Sequence, residues 1–275
     1  MSKDPPVSVL AILGSLVEER IGLHYRAEEV ELFWSKVSSR MEVAGFESAL
    51  DYYYYLRYDD PTGTELDALI DSLVVGETYL FREIDALRAA IKYVLTPAID
   101  TRGRARVWCA GCASGEEPYS LGMLAADAGI LPSLEIIASD VSERALRRAM
   151  TGTLSQRALR AVDTAPALAE RWLTYDAEGQ PSVLRPLREA IRFERVNLID
   201  KARILDLGSF DVIFCRNVLI YFRDSVVQQV VGYLANALRP NGRLVVGASE
   251  SLLRFGTALR FEERGGAFFY TKEDK

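Results

Sequence analysis

The 275-residue chain has little of several features that mark common classes of protein. It contains a single histidine, His24, and three cysteines. A metal site built from several imidazoles, a nucleophile–histidine relay and a disulfide scaffold are therefore not expected. No apolar run approaches the roughly 20 residues that cross a bilayer, and the first residues lack the layout of a signal peptide. We expect a cytoplasmic, globular protein without a bound metal and without direct membrane insertion.

The chain also lacks a surplus of positive charge. It has 33 basic and 39 acidic residues, a net charge of −6 and a pI near 5.1. Proteins that bind nucleic acid gain much of their affinity by neutralising phosphates, and they usually carry a basic surplus. Nucleic acid is therefore not an expected partner, and a monomer is the default oligomeric state. The hydrophobic fraction of 49% provides enough apolar material for a substantial core.

Two patterns divide the chain. From residue 7 to about 95, apolar residues recur at spacings of three and four, which predicts helices. From residue 106, short apolar runs alternate with helical stretches, which predicts a parallel sheet covered by helices. We expect a helical domain over residues 1–95 and an α/β domain over 96–275, with an irregular insertion at about 150–190. The predicted strands are Val107–Ala110, Leu134–Ser139, Ile191–Val196, Phe210–Cys215 and Leu244–Ala248, followed by a hairpin of Leu259–Glu262 and Ala267–Thr271.

The first predicted strand runs into a bend of small residues, Gly111, Ala113 and Gly115, and then into a helix that begins with Glu116 and Glu117. Small residues let a ligand approach the backbone closely. The spacing departs from the dinucleotide fingerprint and is typical of enzymes that bind S-adenosylmethionine (AdoMet). The two acids would repel a pyrophosphate but suit an ammonium or a sulfonium group. The alternative is a tight turn in an unrelated α/β domain.

Two further predicted strands end in polar residues. Asp140 ends the second strand, where an acid can accept hydrogen bonds from the ribose hydroxyls of an adenosine cofactor; a helix cap is the alternative. The strand Phe210–Cys215 is followed by Arg216 and Asn217, and Tyr221 comes about one helical turn later. Ligands bind at the carboxyl ends of strands in open parallel sheets. We therefore expect these side chains to line a cleft, with core packing as the alternative for Tyr221.

Together with the segment Gly76–Glu83, these stretches resemble the CheR-type family of chemotaxis receptor glutamate O-methyltransferases. The most specific matches are Ala113–Ser120, Ala138–Asp140, Val196–Leu198 and Phe214–Phe222. The resemblance covers about residues 10–272. It implies an α/β fold with a Rossmann-like AdoMet-dependent methyltransferase sheet, a small all-α N-terminal domain and a small inserted β subdomain.

The resemblance also implies an activity and a site. Such enzymes transfer a methyl group from AdoMet to glutamate side chains in the cytoplasmic helical region of chemoreceptors, which leaves S-adenosylhomocysteine (AdoHcy) and a glutamyl methyl ester. Glu117 would meet the amino group of the cofactor and Asp140 its ribose, and Arg82 and Tyr221 would lie nearest the methyl transfer. With Gly111 and Ala113 of the bend, the expected cofactor contacts are Thr78, Arg82, Gly111, Ala113, Glu117, Asp140, Asn197, Leu198, Arg216 and Asn217.

A glutamate acceptor also fits the scarcity of histidine, because a carboxylate with a reference pKa near 4.3 is already ionised at neutral pH and needs no general base. Two alternatives stay open: a methyltransferase with a different protein or small-molecule acceptor, and a non-catalytic AdoMet-binding regulator. The helical stretch 26–45 departs from the arginine-rich helix of the receptor enzymes. Its charges, which balance at −1, are Arg26, Lys36, Arg40, Glu28, Glu29, Glu31 and Glu42. A receptor of different charge, or another protein, is therefore also open as the acceptor.

Overall fold

The computed structural model of the chain describes residues 6–273 and divides into two units. The first unit extends to Val75 and includes the later segment Tyr221–Val226, and the second contains Gly76–Ile220 and the chain from Val227 onward. Among the described residues, no helix is both long and apolar enough to cross a membrane. The division predicted from the sequence, between residues 95 and 96, stays a prediction about which parts fold independently.

The first unit is helical, and each helix buries one face. Its helices are α1 (Val7–Ile21), α2 (Val30–Ala44), α3 (Ala49–Tyr54) and α4 (Thr64–Leu73), with a π-helical turn at Tyr55–Asp59. Both α1 and α2 end at a glycine in the left-handed conformation, Gly22 and Gly45, where a glycine avoids the steric cost of a Cβ atom. The buried side chains recur at the predicted spacings of three and four and include Leu13, Val17, Phe33, Val37, Leu69 and Leu73.

Buried polar groups of this unit satisfy one another. The Glu65 carboxylate accepts hydrogen bonds from the Tyr52 hydroxyl at 2.7 Å and from Arg40 Nε at 2.8 Å. Lys36 Nζ donates to the Leu73 carbonyl at 2.8 Å. Two of the three cations in the stretch 26–45 are thus engaged within the unit, so α2 offers less positive charge to a partner than its composition suggests.

The second unit is built on a seven-stranded, mostly parallel sheet, which confirms the predicted α/β fold. Its strands are β1 (Ala105–Ala110), β2 (Leu134–Asp140), β3 (Leu173–Tyr175), β4 (Pro181–Val183), β5 (Ile191–Arg195), β6 (Phe210–Cys215), β7 (Leu238–Val246), β8 (Leu259–Arg264) and β9 (Ala267–Lys272). The order in the sheet is β5-β2-β1-β6-β7-β9-β8. The first five of these strands are parallel, and β9 is antiparallel to both β7 and β8.

Helices separate the parallel strands along the chain. They are α5 (Ile84–Ala90), α6 (Thr96–Arg102), α7 (Glu116–Asp127), α8 (Glu143–Thr151), α9 (Pro166–Trp172), α10 (Arg185–Glu189), α11 (Lys201–Asp206) and α12 (Asp224–Ala237). The predicted insertion contains α9, α10 and an antiparallel two-stranded sheet of β3 and β4. Every residue of β6 is buried, and the core of the unit contains Val212 and Phe214 together with Leu80, Phe81, Leu87 and Leu95. The segment from Gly76 to Leu95 therefore packs with the sheet.

Candidate active site

The strand order places a cleft between β1 and β6. From β1 the chain moves outward to β2 and β5 and then returns to the opposite side of β1 at β6. Ligands of open α/β sheets bind at such a reversal, outside the carboxyl ends of the strands. The register pairs Ala110 of β1 with Ser139 of β2, and Cys109 of β1 with Phe214 of β6. The bend after β1, Asp140 and the loop after β6 therefore lie along one edge of the sheet.

The bend after β1 is held in a conformation that needs small residues. Gly111, Ala113 and Gly115 all have positive φ angles, of 79°, 47° and 93°. A Cβ atom on Gly111 would lie 2.5 Å from a methyl carbon of Val218, which follows β6. Gly111 is thus required both by its left-handed backbone and by the close approach of the β6 loop, and its amide N–H donates to the Ser139 carbonyl at 2.8 Å.

Asp140 links this bend to the tip of β2. Its Oδ2 atom accepts a hydrogen bond from the Ala113 amide at 2.9 Å, and its Oδ1 atom accepts one from the Ser142 amide at 2.9 Å. The helix cap proposed as the alternative is formed by Ser142, whose hydroxyl accepts from the Ala145 amide. Replacing Asp140 will therefore disturb the shape of the bend as well as any direct contact with a ligand.

Three charged side chains meet at the start of α7. The Arg216 side chain is only 2% exposed, and its guanidinium lies 3.0 Å from Glu117 Oε2 and 3.1 Å from Glu83 Oε2. Burial raises the pKa of the Glu117 carboxyl, and the charge of Arg216 opposes that rise. Arg216 Nε is buried and has no hydrogen-bond partner in the part of the chain that the structure describes. A buried donor without a partner is costly, so a ligand acceptor at this atom would be favourable.

The segment before α5 joins the same group. Arg216 donates a hydrogen bond to the Arg82 carbonyl at 2.8 Å. Phe81 and Glu83, on either side of Arg82, have φ angles of 61° and 48°. Non-glycine residues in this region cost of order 1–3 kcal/mol and are found where surrounding contacts enforce them. Here one such contact is the bond from the Phe81 amide to Ser120 Oγ, at 2.8 Å.

The other expected cofactor residues divide into two groups. Asn197 and Leu198 follow β5, whose neighbour is β2, and the Val196 amide donates to the Asp140 carbonyl at 3.1 Å. They therefore lie at the same edge as Asp140, and Leu198 is buried. Thr78 lies in the segment before Arg82 and is half-buried.

Tyr221, unlike the expected cofactor residues, belongs to the helical unit. It lies in the segment Tyr221–Val226, and its backbone carbonyl accepts a hydrogen bond from the His24 amide at 2.9 Å. Its proposed part in catalysis stays a prediction. The His24 imidazole lies 3.2 Å from Glu18, in the helical unit.

Sequence reasoning missed two acids at this edge of the sheet, Glu83 and Glu250. The Glu250 carboxylate is buried and accepts hydrogen bonds from backbone amides of the loop after β6. For Glu250 the sequence signal was an acid two residues after the predicted strand Leu244–Ala248. The three cysteines are buried and unpaired, and burial raises the pKa of each thiol. No group of three or more metal-ligating side chains is found between residues 6 and 273.

Comparisons with known proteins agree with this architecture. Residues 10–74 match the model of the CheR methyltransferase all-alpha domain, and residues 76–265 match that of the CheR methyltransferase SAM binding domain. The chain is 32% identical to chemotaxis protein methyltransferase 2 of Vibrio cholerae, over 91% of this chain and 88% of the relative. It is 29% identical to a chemotaxis protein methyltransferase of Borreliella burgdorferi, over 88% of each.

Solved structures are more distant. The structure of PKMT2 from Rickettsia typhi in complex with AdoHcy aligns with 52% of this chain and 20% of that protein, at 19% identity and a TM-score of 0.32. A similarity this low supports no inference about function. The family models and the curated relatives do support an inference about function. On those grounds the chain belongs to the CheR methyltransferase family, whose AdoMet-dependent methyl transfer it shares.

Proposed function

We propose that this protein transfers a methyl group from AdoMet to the side-chain carboxylates of glutamates in the cytoplasmic helical region of a chemoreceptor. The observation that carries the proposal is the ion-pair group in which the buried Arg216 meets the partly buried Glu83 and Glu117. Its charges suit the ammonium and carboxylate of an amino acid moiety, and no histidine base is present in it. The names of the curated relatives support a role in chemotaxis.

The described residues suit AdoMet. Its methionine part carries an ammonium and a carboxylate, its sulfur is cationic, and its ribose presents two hydroxyls. Glu117 would hold the ammonium, and the unpartnered Nε of Arg216 would donate to the carboxylate. Asp140 would accept from the ribose hydroxyls. Gly111 and Ala113 would allow the ligand to approach the backbone, because neither has a side chain beyond Cβ.

Other residues would complete the cofactor site. Leu198 offers buried apolar surface near the tip of β2, which suits an adenine ring. The side chains of Asn197, Asn217 and Thr78 offer polar groups around the cofactor. Each of these assignments is tested separately by substitution and AdoMet calorimetry, because each removes a different contact.

The reaction then needs little from the protein beyond placement. AdoMet, when bound, supplies a methyl group on a cationic sulfur. The acceptor carboxylate is ionised at neutral pH, with a reference pKa near 4.3, so the chain need not remove a proton. Holding the acceptor oxygen about 3 Å from the methyl carbon and in line with the C–S bond can contribute roughly 7–11 kcal/mol. We assign the orientation of that carboxylate to Arg82 and Tyr221.

The net charge of the helical region limits which receptor surfaces it can bind. Residues 1–75 contain 6 basic and 14 acidic residues, a net charge of −8. Since Lys36 and Arg40 are also engaged within the unit, a strongly acidic receptor segment would be repelled. We propose a receptor whose methylated helices are neutral or basic at the surface that meets this unit. We further propose that the enzyme acts as a cytoplasmic monomer.

Incubation with radiolabelled AdoMet and receptor fragments tests the proposal. Protein label that base releases as methanol would identify a glutamyl ester. A matched fragment with glutamine at the candidate positions is the control, because an amide oxygen is a far weaker nucleophile than a carboxylate. Base-stable label, or label on a small molecule, would point to a different acceptor. AdoMet binding without transfer to any fragment would indicate a regulator.

A further inference from the structure

Glu250 gathers backbone donors from two loops at the edge of the sheet. Its Oε1 atom accepts from the amides of Val218 at 2.9 Å and Ile220 at 3.3 Å. Its Oε2 atom accepts from the amides of Asn217 at 2.6 Å and Gly247 at 2.7 Å. The side chain is one of the few buried carboxylates in the described chain. Each oxygen of the carboxylate thus accepts hydrogen bonds from two of the four backbone amides.

The geometry of this group requires a hydrogen-bond acceptor at both carboxylate oxygens. Each oxygen faces two N–H donors, and only an acceptor on both sides satisfies them. A glutamine of the same shape would turn an NH₂ group toward one donor pair and leave those amides unsatisfied. A buried donor that loses its partner costs more than the bond itself contributed. The position of Glu250 therefore requires two acceptor oxygens, which a glutamine does not provide.

The loop held by Glu250 follows directly on Arg216. Asn217 adopts a left-handed φ of 58°, which a non-glycine residue keeps only where contacts enforce it. A Cβ atom on Gly247 would lie 2.8 Å from both Asn217 Nδ2 and Glu250 Oε2, so the two loops are packed closely at this point. Val218 of the same loop also lies against Gly111 of the bend after β1.

We propose that Glu250 is a positioning residue for the cofactor site. It fixes the backbone of the loop after β6, and through that loop it orients Asn217 and Arg216 toward AdoMet. It makes no contact with the cofactor itself. This role rests on the proposed cofactor site and assigns a function to a residue outside the motifs that identify the family in this sequence.

Glu250→Gln tests this role, with the exposed Glu263→Gln as the matched control. AdoMet affinity is measured by titration calorimetry on the full chain at 25 °C, after circular dichroism shows that each variant is folded. We expect Glu250→Gln to raise the Kd for AdoMet about tenfold, and Glu263→Gln to leave it unchanged. A folded Glu250→Gln protein with wild-type affinity would overturn the proposal.

A merely structural role would lower the melting temperature without coupling to Asn217. We therefore combine Glu250→Gln with Asn217→Gly, which removes the side chain but tolerates the left-handed backbone. If Glu250 acts through this loop, the effects of the two changes on AdoMet affinity will not add. Additive effects would refute the positioning role.

A second variant covers the case in which Glu250→Gln does not fold. Gly247→Ala keeps the carboxylate but places a methyl group against Asn217 and Glu250. It is expected to weaken AdoMet binding several-fold, and unchanged affinity would contradict the proposal. Wild-type protein that fails to bind AdoMet would refute the cofactor site and this role together. Wild-type binding with unaffected variants would refute the role alone.

Discussion

Two adjacent acids at the start of α7 allow a sharp test of the cofactor site. Glu117 lies 3.0 Å from Arg216, with its side chain 15% exposed. Glu116 is 2% exposed and instead accepts hydrogen bonds from the Ser114 hydroxyl at 3.0 and 2.9 Å. We predict that Glu117→Gln weakens AdoMet binding, and that Glu116→Gln has little effect, because only Glu117 is assigned to the ammonium group of the cofactor.

The size of the effect follows from the bond that is lost. A hydrogen bond to a charged group contributes about 1.5–3 kcal/mol, and glutamine keeps one acceptor oxygen. A loss of about 2 kcal/mol is therefore expected, which raises the Kd about 30-fold. Glu116 bonds to Ser114 and is assigned no contact with the cofactor, so Glu116→Gln is expected to leave the Kd within about twofold of wild type.

Titration calorimetry with AdoMet on both variants measures the difference. Thermal unfolding should be recorded beside it, since Glu117→Gln also weakens an ion pair of the buried Arg216 and is expected to lower the melting temperature. Equal losses of affinity in the two variants would show general damage to the start of α7. Unchanged affinity in Glu117→Gln would refute the assignment of the ammonium contact.

Other parts of the argument are tested more briefly. Because burial raises the pKa of Glu117, this carboxylate takes up a proton at a higher pH than an ordinary carboxyl does. As the pH is lowered, AdoMet affinity should therefore fall in the wild type and stay constant in Glu117→Gln, which calorimetry at a series of pH values measures. Asp140→Asn is expected to cost about 1–3 kcal/mol of AdoMet affinity, and calorimetry that shows no loss would contradict the ribose assignment. Arg82→Ala should cut the initial rate of methyl transfer well below wild type, whereas near-normal turnover would remove Arg82 from the site. A fragment of residues 76–275 should melt at a higher temperature than one of 96–275, since residues 80–95 supply buried side chains; equal stability would favour the boundary predicted from the sequence.

The sheet could be predicted in detail where strands are buried on both faces. Strand β6 has the bounds predicted, Phe210–Cys215, because every position in it is buried and its sequence is apolar almost throughout. Strand β7 was predicted to begin at Leu244, but it begins at Leu238. The residues between them include Pro240 and Gly242, which read locally as a turn. Pairing with β6 through an irregular register overrides that preference.

The candidate site could be predicted only in part. The sequence predicted that side chains after the strands line a cleft, and the register places the bend after β1, Asp140 and Arg216 at the carboxyl ends of neighbouring strands. Their contact with a cofactor stays a prediction. The salt bridge of Arg216 with Glu83 joins residues far apart in the sequence. No local pattern encodes such a pair, because it depends on how two loops cross.

The sequence by itself determined the family, the α/β class and the positions of the turns proposed to bind the cofactor, since these depend on local residue types and on their order along the chain. Only the tertiary structure showed that Glu83 and Glu250 lie beside the candidate site that the sequence had assigned to Glu117 and Asp140. Glu250 satisfies amides about thirty residues away, and its role exists only once β6 and β7 lie side by side. Likewise, Tyr221 follows Arg216 closely in sequence yet belongs to the helical unit, because packing rather than chain proximity sets a residue's neighbours.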